Sequence, residues 1–213
     1  TSAFEDFTAS VKPAETTPLS ALFFADVCRQ AGLPRGVVNI LPGYGDTGAA
    51  LVAHPDVNKV AFTGSTAVGK EIARTVAGTR KKVTLELGGK GANIVFDDAN
   101  LDAAINGAAW AIFHNQGQAC IAGSRLVLHE SIADEFTEKF LRLASSIQLG
   151  DPLDPATEMG PLTSTQHRDR VMRYCEVAVE QGGKVLLGGR PPERKDLAAG
   201  CYIEPTVVCA KAT

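Results

Sequence analysis

An α/β fold follows from three features of this 213-residue sequence. Short β-branched runs alternate with amphipathic stretches through the first two-thirds of the chain. Several of those stretches carry recognisable helix start and stop signals. The composition, 45% apolar and 21% charged, is that of an ordinary globular chain able to bury a sizeable core. Strand, helix, strand, helix, strand in that order predicts a parallel sheet with right-handed crossovers.

The elements read as follows. Pro18 to Ala31 is a helix, with Leu19, Leu22, Phe23, Ala25 and Val27 giving it a largely apolar side. Thr17 is placed as its N-cap, Pro18 as its first residue and Gly32 as its C-terminal stop. Val37 to Leu41 reads as a buried strand ended by Pro42-Gly43, Lys59 to Phe62 as a second strand and Lys82 to Leu87 as a third. Helical periodicity runs over Thr47 to Ala53 and Thr66 to Ala77. After Gly88-Gly89 the rhythm changes, and a domain change is placed near Gly88–Gly91. Beyond it come a strand at Ala92–Phe96, a helix at Leu101–Phe113 and a strand at Arg125–His129. A helix from Ser131 to Ile147 puts Ile132, Phe136, Phe140, Leu143 and Ile147 on one stripe. A polar helix from Thr165 to Gln181 is followed by strands at Lys184–Leu187 and Tyr202–Val208.

Composition excludes several function classes. A net charge of −3 argues against a nucleic-acid binder, which would need a basic face to neutralise phosphates. No apolar run approaches the roughly 18 residues of a membrane span. Thr1 to Ser10 lacks the cationic-then-apolar pattern of a signal peptide. A cytoplasmic protein is the expectation. The five cysteines, Cys28, Cys120, Cys175, Cys201 and Cys209, are odd in number and never form Cys-x-x-Cys, so neither a disulfide framework nor a zinc site is expected.

Four motifs carry chemistry. Phe62-Thr63-Gly64-Ser65-Thr66-Ala67-Val68-Gly69 sits where a strand becomes a helix, a place where backbone N–H groups and the positive dipole end suit a pyrophosphate. It is neither Gly-x-Gly-x-x-Gly nor a P-loop, and taken alone it equally describes a capped helix behind a tight turn. Lys12-Pro13-Ala14-Glu15 follows a strand end, where both charges could reach a ribose or simply be solvated. A carboxylate holding ribose hydroxyls favours NAD, because it repels a 2′-phosphate. Glu86 ends an apolar strand ahead of Leu87-Gly88-Gly89-Lys90, which makes it a candidate general base or the partner of a nearby lysine. Finally, Asn115-Gln116-Gly117-Gln118-Ala119-Cys120 opens the densest stretch of polar and small residues, between a helix and a strand. A reactive thiol needs a polar, partly open setting of that kind. His114, six residues before Cys120, raises a Cys–His hydrolase pair as an alternative to a packing histidine.

From Val11 to about Val208, the chain resembles the NAD(P)-dependent aldehyde dehydrogenase superfamily. It has the Lys-Pro-Ala-Glu element, the Phe-Thr-Gly-Ser turn, the Glu-Leu-Gly-Gly-Lys box and the Asn-x-Gly-Gln-x-Cys box in the family's order and spacing. The resemblance implies a Rossmann-like parallel-sheet portion, residues 1–88, as a partial NAD-binding domain. Residues 89–213 would form a partial α/β catalytic domain. It makes Cys120 the nucleophile and Glu86 the base that activates water. Lys12 and Glu15 would hold the adenosine ribose, Gly64, Ser65 and Gly69 the pyrophosphate, and Leu87 would lie beside the nicotinamide. NAD is the implied cofactor, with NADP compatible, and a small-molecule aldehyde the implied substrate. Glu86 favours acid formation over transfer to coenzyme A. No metal is implied, and the family forms homo-oligomers. The family's upstream oxyanion asparagine and downstream Glu-x-Phe-Gly-Pro box are not found in the sequence, so a truncated chain is expected. Two alternatives stay open: an incomplete fragment that only binds nucleotide or partners, and a cofactor-free thiol esterase.

Overall fold

The structure, a computed structural model, describes residues 8–210. The chain divides into two compact units, Thr1–Gly88 and Gly89–Thr213.

The first unit is built from two consecutive strand–helix–strand segments. Strand β1 (Ala9–Val11) leads through helix α1 (Leu19–Gln30) to β2 (Val38–Ile40), which pairs parallel to β1 with Ala9 opposite Val38. Helix α2 (Gly45–Ala53) leads to β3 (Lys59–Gly64), and helix α3 (Thr66–Val76) carries the chain to β4 (Lys82–Leu87). β3 and β4 run parallel over six residues, from Lys59 opposite Lys82 to Gly64 opposite Leu87. The one parallel sheet expected from the sequence is, in hydrogen bonds, two separate two-stranded sheets. β2 is only three residues long because the Leu41 N–H, bonded to Val11 at 2.9 Å, is the last donor before Pro42, which has none to offer.

Helix ends in this unit follow from local chemistry. α1 stops in a Schellman turn: the Gly32 N–H donates to Arg29 O and the Leu33 N–H to Cys28 O, with Gly32 at φ +73° as the left-handed residue. Its start departs from expectation. Pro18 stands at the cap position in helical geometry, φ −83° and ψ −16°, and Thr17 supplies no side-chain cap bond. The Thr17 N–H instead turns back to Ala14 O at 3.2 Å. α2 begins two residues earlier than its periodicity predicts. Its C-terminal carbonyls of Val52 and His54 accept from the Lys81 ammonium, a cation placed where the helix dipole favours one. Among the described residues of this unit, the buried apolar side chains are Val37, Ile72 and Val76.

The second unit opens with β5 (Ala92–Val95), α4 (Leu101–Phe113) and β6 (Arg125–Leu128), the strands parallel with Ala92 opposite Arg125. Asn100 caps α4 by accepting from the Ala103 N–H at 3.0 Å. A single 3-10 turn, Glu130–Ile132, precedes α5 (Ala133–Ser146). The helix therefore starts later than Ser131, because His129 Nδ1 takes the Ser131 N–H and holds that residue in the turn. α5 packs on α4, burying Phe136 and Phe140 with Val95, Ile105, Ala108 and Ala109. The rings of Phe113, Phe140 and Phe136 stack in succession with centroids 6.0 Å apart. α6 (Thr165–Glu180) is capped by Ser164 and leads to β7 (Lys184–Leu187), which pairs antiparallel with β8 (Val207–Cys209). β8 is shorter than the expected Tyr202–Val208. Pro205 has no N–H for a ladder, and Tyr202 is turned inward, its buried hydroxyl donating to Gly150 O at 3.0 Å.

Candidate active site

In the first unit, strand register gathers two of the motifs. Glu86 stands opposite Thr63, and Leu87 opposite Gly64, at the carboxyl ends of β3 and β4. This is the edge at which parallel α/β sheets bind ligands. One residue further on, Ser65 caps α3, accepting from the Val68 N–H at 3.3 Å. Its hydroxyl hydrogen stays available to donate, and the first N–H groups of α3 have no partner within the helix. Glu86 and Gly64 are exposed at this edge, whereas Leu87 is half-buried. Gly69 is placed differently from Gly64 and Ser65. It is buried in α3, and a Cβ there would lie 2.5 Å from Leu87 Cδ2. Its bareness lets the Leu87 side chain seat on the helix.

Lys12 and Glu15 follow the end of β1. Lys12 Nζ lies 3.7 Å from Glu15 Oε2 and donates to Pro13 O at 2.8 Å and Gly43 O at 3.0 Å. The lysine is thus held down across the loop after β2, while the glutamate carboxylate is half exposed. The pair sits on the β1–β2 sheet; Gly64, Ser65, Glu86 and Leu87 sit on the β3–β4 sheet.

In the second unit, Cys120 occupies the link between α4 and β6. The chain leaves α4 through three successive residues in left-handed geometry, Asn115 (φ 50°), Gln116 (φ 57°) and Gly117 (φ 71°). For an ordinary side chain this conformation costs about 1–2 kcal/mol, with asparagine more tolerant than glutamine. Gly117 has a second reason to be glycine: a Cβ there would lie 3.0 Å from Ile112 O. The turn is closed by the Gln118 N–H bonded to Asn115 O at 2.9 Å and by Asn115 Nδ2 donating to Gln118 O at 3.1 Å. Cys120 then lies in the turn made by the Ala122 N–H to Ala119 O bond, and its side chain is exposed. On the far side, the Gly123 N–H returns to Ala111 O of α4 at 3.0 Å.

The other cysteines differ in setting. Cys28, Cys175 and Cys201 are half-buried; Cys209 is exposed at the end of β8. Burial pushes the Cys175 thiol up from its ordinary value, which favours its protonated form. His114 stacks on Trp110 with ring centroids 4.9 Å apart, and among the described residues it has no hydrogen bond to Cys120. That arrangement gives the histidine a packing role at the end of α4. No group of three or more His, Cys, Asp or Glu that could hold a metal occurs among the described residues. No described helix is long and apolar enough to cross a membrane.

The profile of the aldehyde dehydrogenase family matches residues 8–212. The chain belongs to that family. Its α/β architecture is shared with solved members. The crystal structure of PnpE from Pseudomonas sp. WBC-3 superposes with a TM-score of 0.94 at 62% identity, covering 96% of this chain and 42% of that one. A second PnpE structure, in complex with nicotinamide adenine dinucleotide, gives a TM-score of 0.92 at 62% identity, over 94% of this chain and 42% of that one. Among curated aldehyde dehydrogenases, the hydroxyisobutyraldehyde dehydrogenase of Mycolicibacterium austroafricanum is 48% identical over 97% of this chain and 41% of its own length. The chain thus spans between 22% and 42% of the length of the relatives it matches.

One tie of the Cys120 loop leaves no mark in the local sequence. Gln118 Oε1 accepts from the Thr163 backbone N–H at 3.1 Å, joining the Cys120 loop to the segment before α6. Asn115 and Gly117, both tolerant of left-handed geometry, were the signal available for the turn itself.

Proposed function

We propose that this chain carries the nucleophile, the base and part of the cofactor site of an enzyme that oxidises an aldehyde to its acid with NAD. The observation that carries the reading is the placement of Cys120. It is an exposed thiol on a short turn tied at both flanks, in a family whose members are aldehyde dehydrogenases. Residues 1–88 then act as the partial NAD-binding domain and residues 89–213 as the partial catalytic domain.

The residues at the β3–β4 edge fit a dinucleotide. Gly64 lies under the Phe62 ring, whose Cζ would be 2.5 Å from a Cβ there, so it offers only its backbone, and the eleven-residue helix α3 offers free N–H groups and the positive end of its dipole to a pyrophosphate. The Ser65 hydroxyl adds a donor. Gly69 contributes indirectly, by letting Leu87 pack where it borders the nicotinamide half. Lys12 and Glu15 hold the adenosine ribose. The Glu15 carboxylate accepts from ribose hydroxyls and repels a 2′-phosphate, so NAD is preferred over NADP. The NAD complex of PnpE, 62% identical to this chain, supports NAD as the cofactor.

The chemistry assigned to the protein's own groups is nucleophilic and then hydrolytic. Cys120, as thiolate, adds to the aldehyde carbon and forms a C–S bond, the carbonyl π electrons moving to oxygen. NAD, when bound, supplies a two-electron acceptor that takes the hydride from that carbon, which leaves a thioester on Cys120. Glu86 removes a proton from water, the resulting hydroxide adds to the thioester carbon, and the C–S bond breaks. The carboxylic acid leaves, the thiolate is restored, and Glu86 returns its proton to solvent. Sulfur serves both steps because it is a strong nucleophile and a good acyl leaving group.

NADH formation with a simple aliphatic aldehyde tests this reading. Cys120→Ala abolishes both NADH production and ester hydrolysis; survival of either removes Cys120 as nucleophile. Glu86→Gln retains a first-turnover burst of NADH but loses steady-state turnover, because water attack follows oxidation. Absence of that burst would place Glu86 in an earlier step. Ester hydrolysis that needs His114, with no NADH from any aldehyde, would favour the thiol esterase instead.

A further inference from the structure

The loop bearing Cys120 has a second anchor whose donor lies far away in the chain. On one flank, Gly123 is bonded to Ala111 and packed so closely that a Cβ would lie 3.3 Å from the Ala111 Cβ and 3.4 Å from the Asn93 Cβ. That flank is fixed by α4 and β5. The other flank runs through three left-handed residues, two of them not glycine, in a conformation that side chains rarely adopt without support. The Asn115–Gln118 bonds hold the turn to itself, but they attach it to nothing else. The attachment through Gln118 is its Oε1 to the Thr163 N–H at 3.1 Å, across 45 positions of sequence, and the Gln116 amide beside it, with its oxygen turned toward Gly160, takes the Gly160 N–H at 3.3 Å.

Thr163 is itself well placed to be an anchor. Its neighbour Leu162 is buried and donates its N–H to Cys201 O at 3.0 Å, and Ser164 caps α6 by accepting from the His167 N–H at 3.1 Å. The Thr163 N–H therefore sits between a packed residue and a helix cap. A carbonyl oxygen held to it is held to the body of the unit.

We propose that Gln118 is a positioning residue: its side-chain oxygen, bound to the Thr163 N–H, fixes the left-handed turn and with it the place of the Cys120 thiol. This rests on Cys120 being the nucleophile, but the test reads the tether and not the turnover. The chemistry required of position 118 is an acceptor oxygen at glutamine's reach. Gln118→Glu keeps that acceptor, and Gln118→Met keeps the length and loses it.

Two measurements on the full chain decide the matter. In the unaltered protein, the Thr163 amide is expected to exchange with deuterium at least tenfold more slowly than its intrinsic rate; exchange at the intrinsic rate would overturn the proposal without any variant. For the second, cysteines are tagged with a trifluoromethyl group, and the 19F line of Cys120 is assigned by its loss in Cys120→Ala. The expected result is one line in the unaltered chain and in Gln118→Glu. In Gln118→Met the line splits, or at least doubles in width, while amide protection of α4 and α5 stays unchanged. An unchanged line in Gln118→Met, or the same broadening in Gln118→Glu, overturns the positioning role. Loss of protection in α4 and α5 along with the broadened line would make Gln118 part of the general packing and overturn it equally. If the tether holds while Cys120→Ala retains turnover, the proposed nucleophile fails and the tether stands.

Discussion

The two units differ most in what their helices bury. In the second, α4 and α5 close over a core centred on Phe136, which has 0% exposure, with Phe140 and Ile105 beside it. In the first, α1 and α2 bury no residue fully, and only α3, through Ile72 and Val76, contributes helix side chains to the interior. Phe23 on α1 is 69% exposed. Both units follow the same strand–helix–strand plan, so the plan alone does not make a core. What differs is whether a second helix meets the apolar face, since Leu19, Phe23 and Val27 of α1 also fall four apart. Phe136 and Phe140 fall four apart on one face of α5, and Phe140 stacks on Phe113 from α4. In α1, Leu19, Leu22, Phe23, Phe24 and Val27 are all exposed at the surface of the unit.

The largest test of this contrast is Phe136→Ala. Removing a fully buried phenylalanine leaves a cavity and costs about 3–5 kcal/mol. The single tryptophan, Trp110, lies in α4, so its fluorescence during urea unfolding reports on the second unit. A loss below about 1 kcal/mol, small for any core truncation, would show that the α4–α5 core is not organised around this ring.

How much of this was legible in the sequence depends on the range of the interactions involved. α4 was read with its observed bounds, since Asn100 caps it locally and its apolar positions repeat at helical spacing. β4 is equally plain, Lys82–Leu87 both in the sequence and in the structure. The separation into two-stranded sheets was not legible, because ladder pairing is a long-range choice that no single strand records. β8 was read too long because Tyr202 looks like a strand residue until its hydroxyl is seen bonded to Gly150, 52 positions away. The candidate site divides the same way. The order of the motifs and the exposed thiol were within reach of sequence, whereas the bond from Gln118 to Thr163 was not. Gly69 illustrates the intermediate case: the motif marks it as special, but only the packing shows that Leu87 is the group it accommodates.

Gly69 also gives a test of intermediate size, in the less densely cored unit. Gly69→Ala drives a methyl group into the Leu87 side chain, and overpacking of this kind costs about 1–3 kcal/mol. Hydrogen exchange of the β3–β4 amides measures it. Adding Leu87→Ala removes the clashing atoms, so the double variant loses less than the two single losses combined. NAD affinity sharpens the result. If Gly69 acts through Leu87, the double variant recovers part of the affinity lost in Gly69→Ala, whereas strictly additive losses would mean that position 69 meets the cofactor itself.

The smallest expected effect bears on the contrast most directly. With Phe23 largely in solvent, Phe23→Ala removes little that folding had buried, and a surface substitution of this kind stays within about 0.5 kcal/mol. Exchange protection in α1 and in the β1–β2 pair should be unchanged within that margin. A loss above about 1 kcal/mol, outside the range for surface positions, would mean that the aromatic face of α1 is covered in solution. The difference between the units would then lie in what covers the first one and not in how well its helices are built. Repeating the measurement over a range of protein concentrations separates the two cases, because cover supplied by a second copy of the chain makes the loss concentration-dependent and cover supplied within one chain does not.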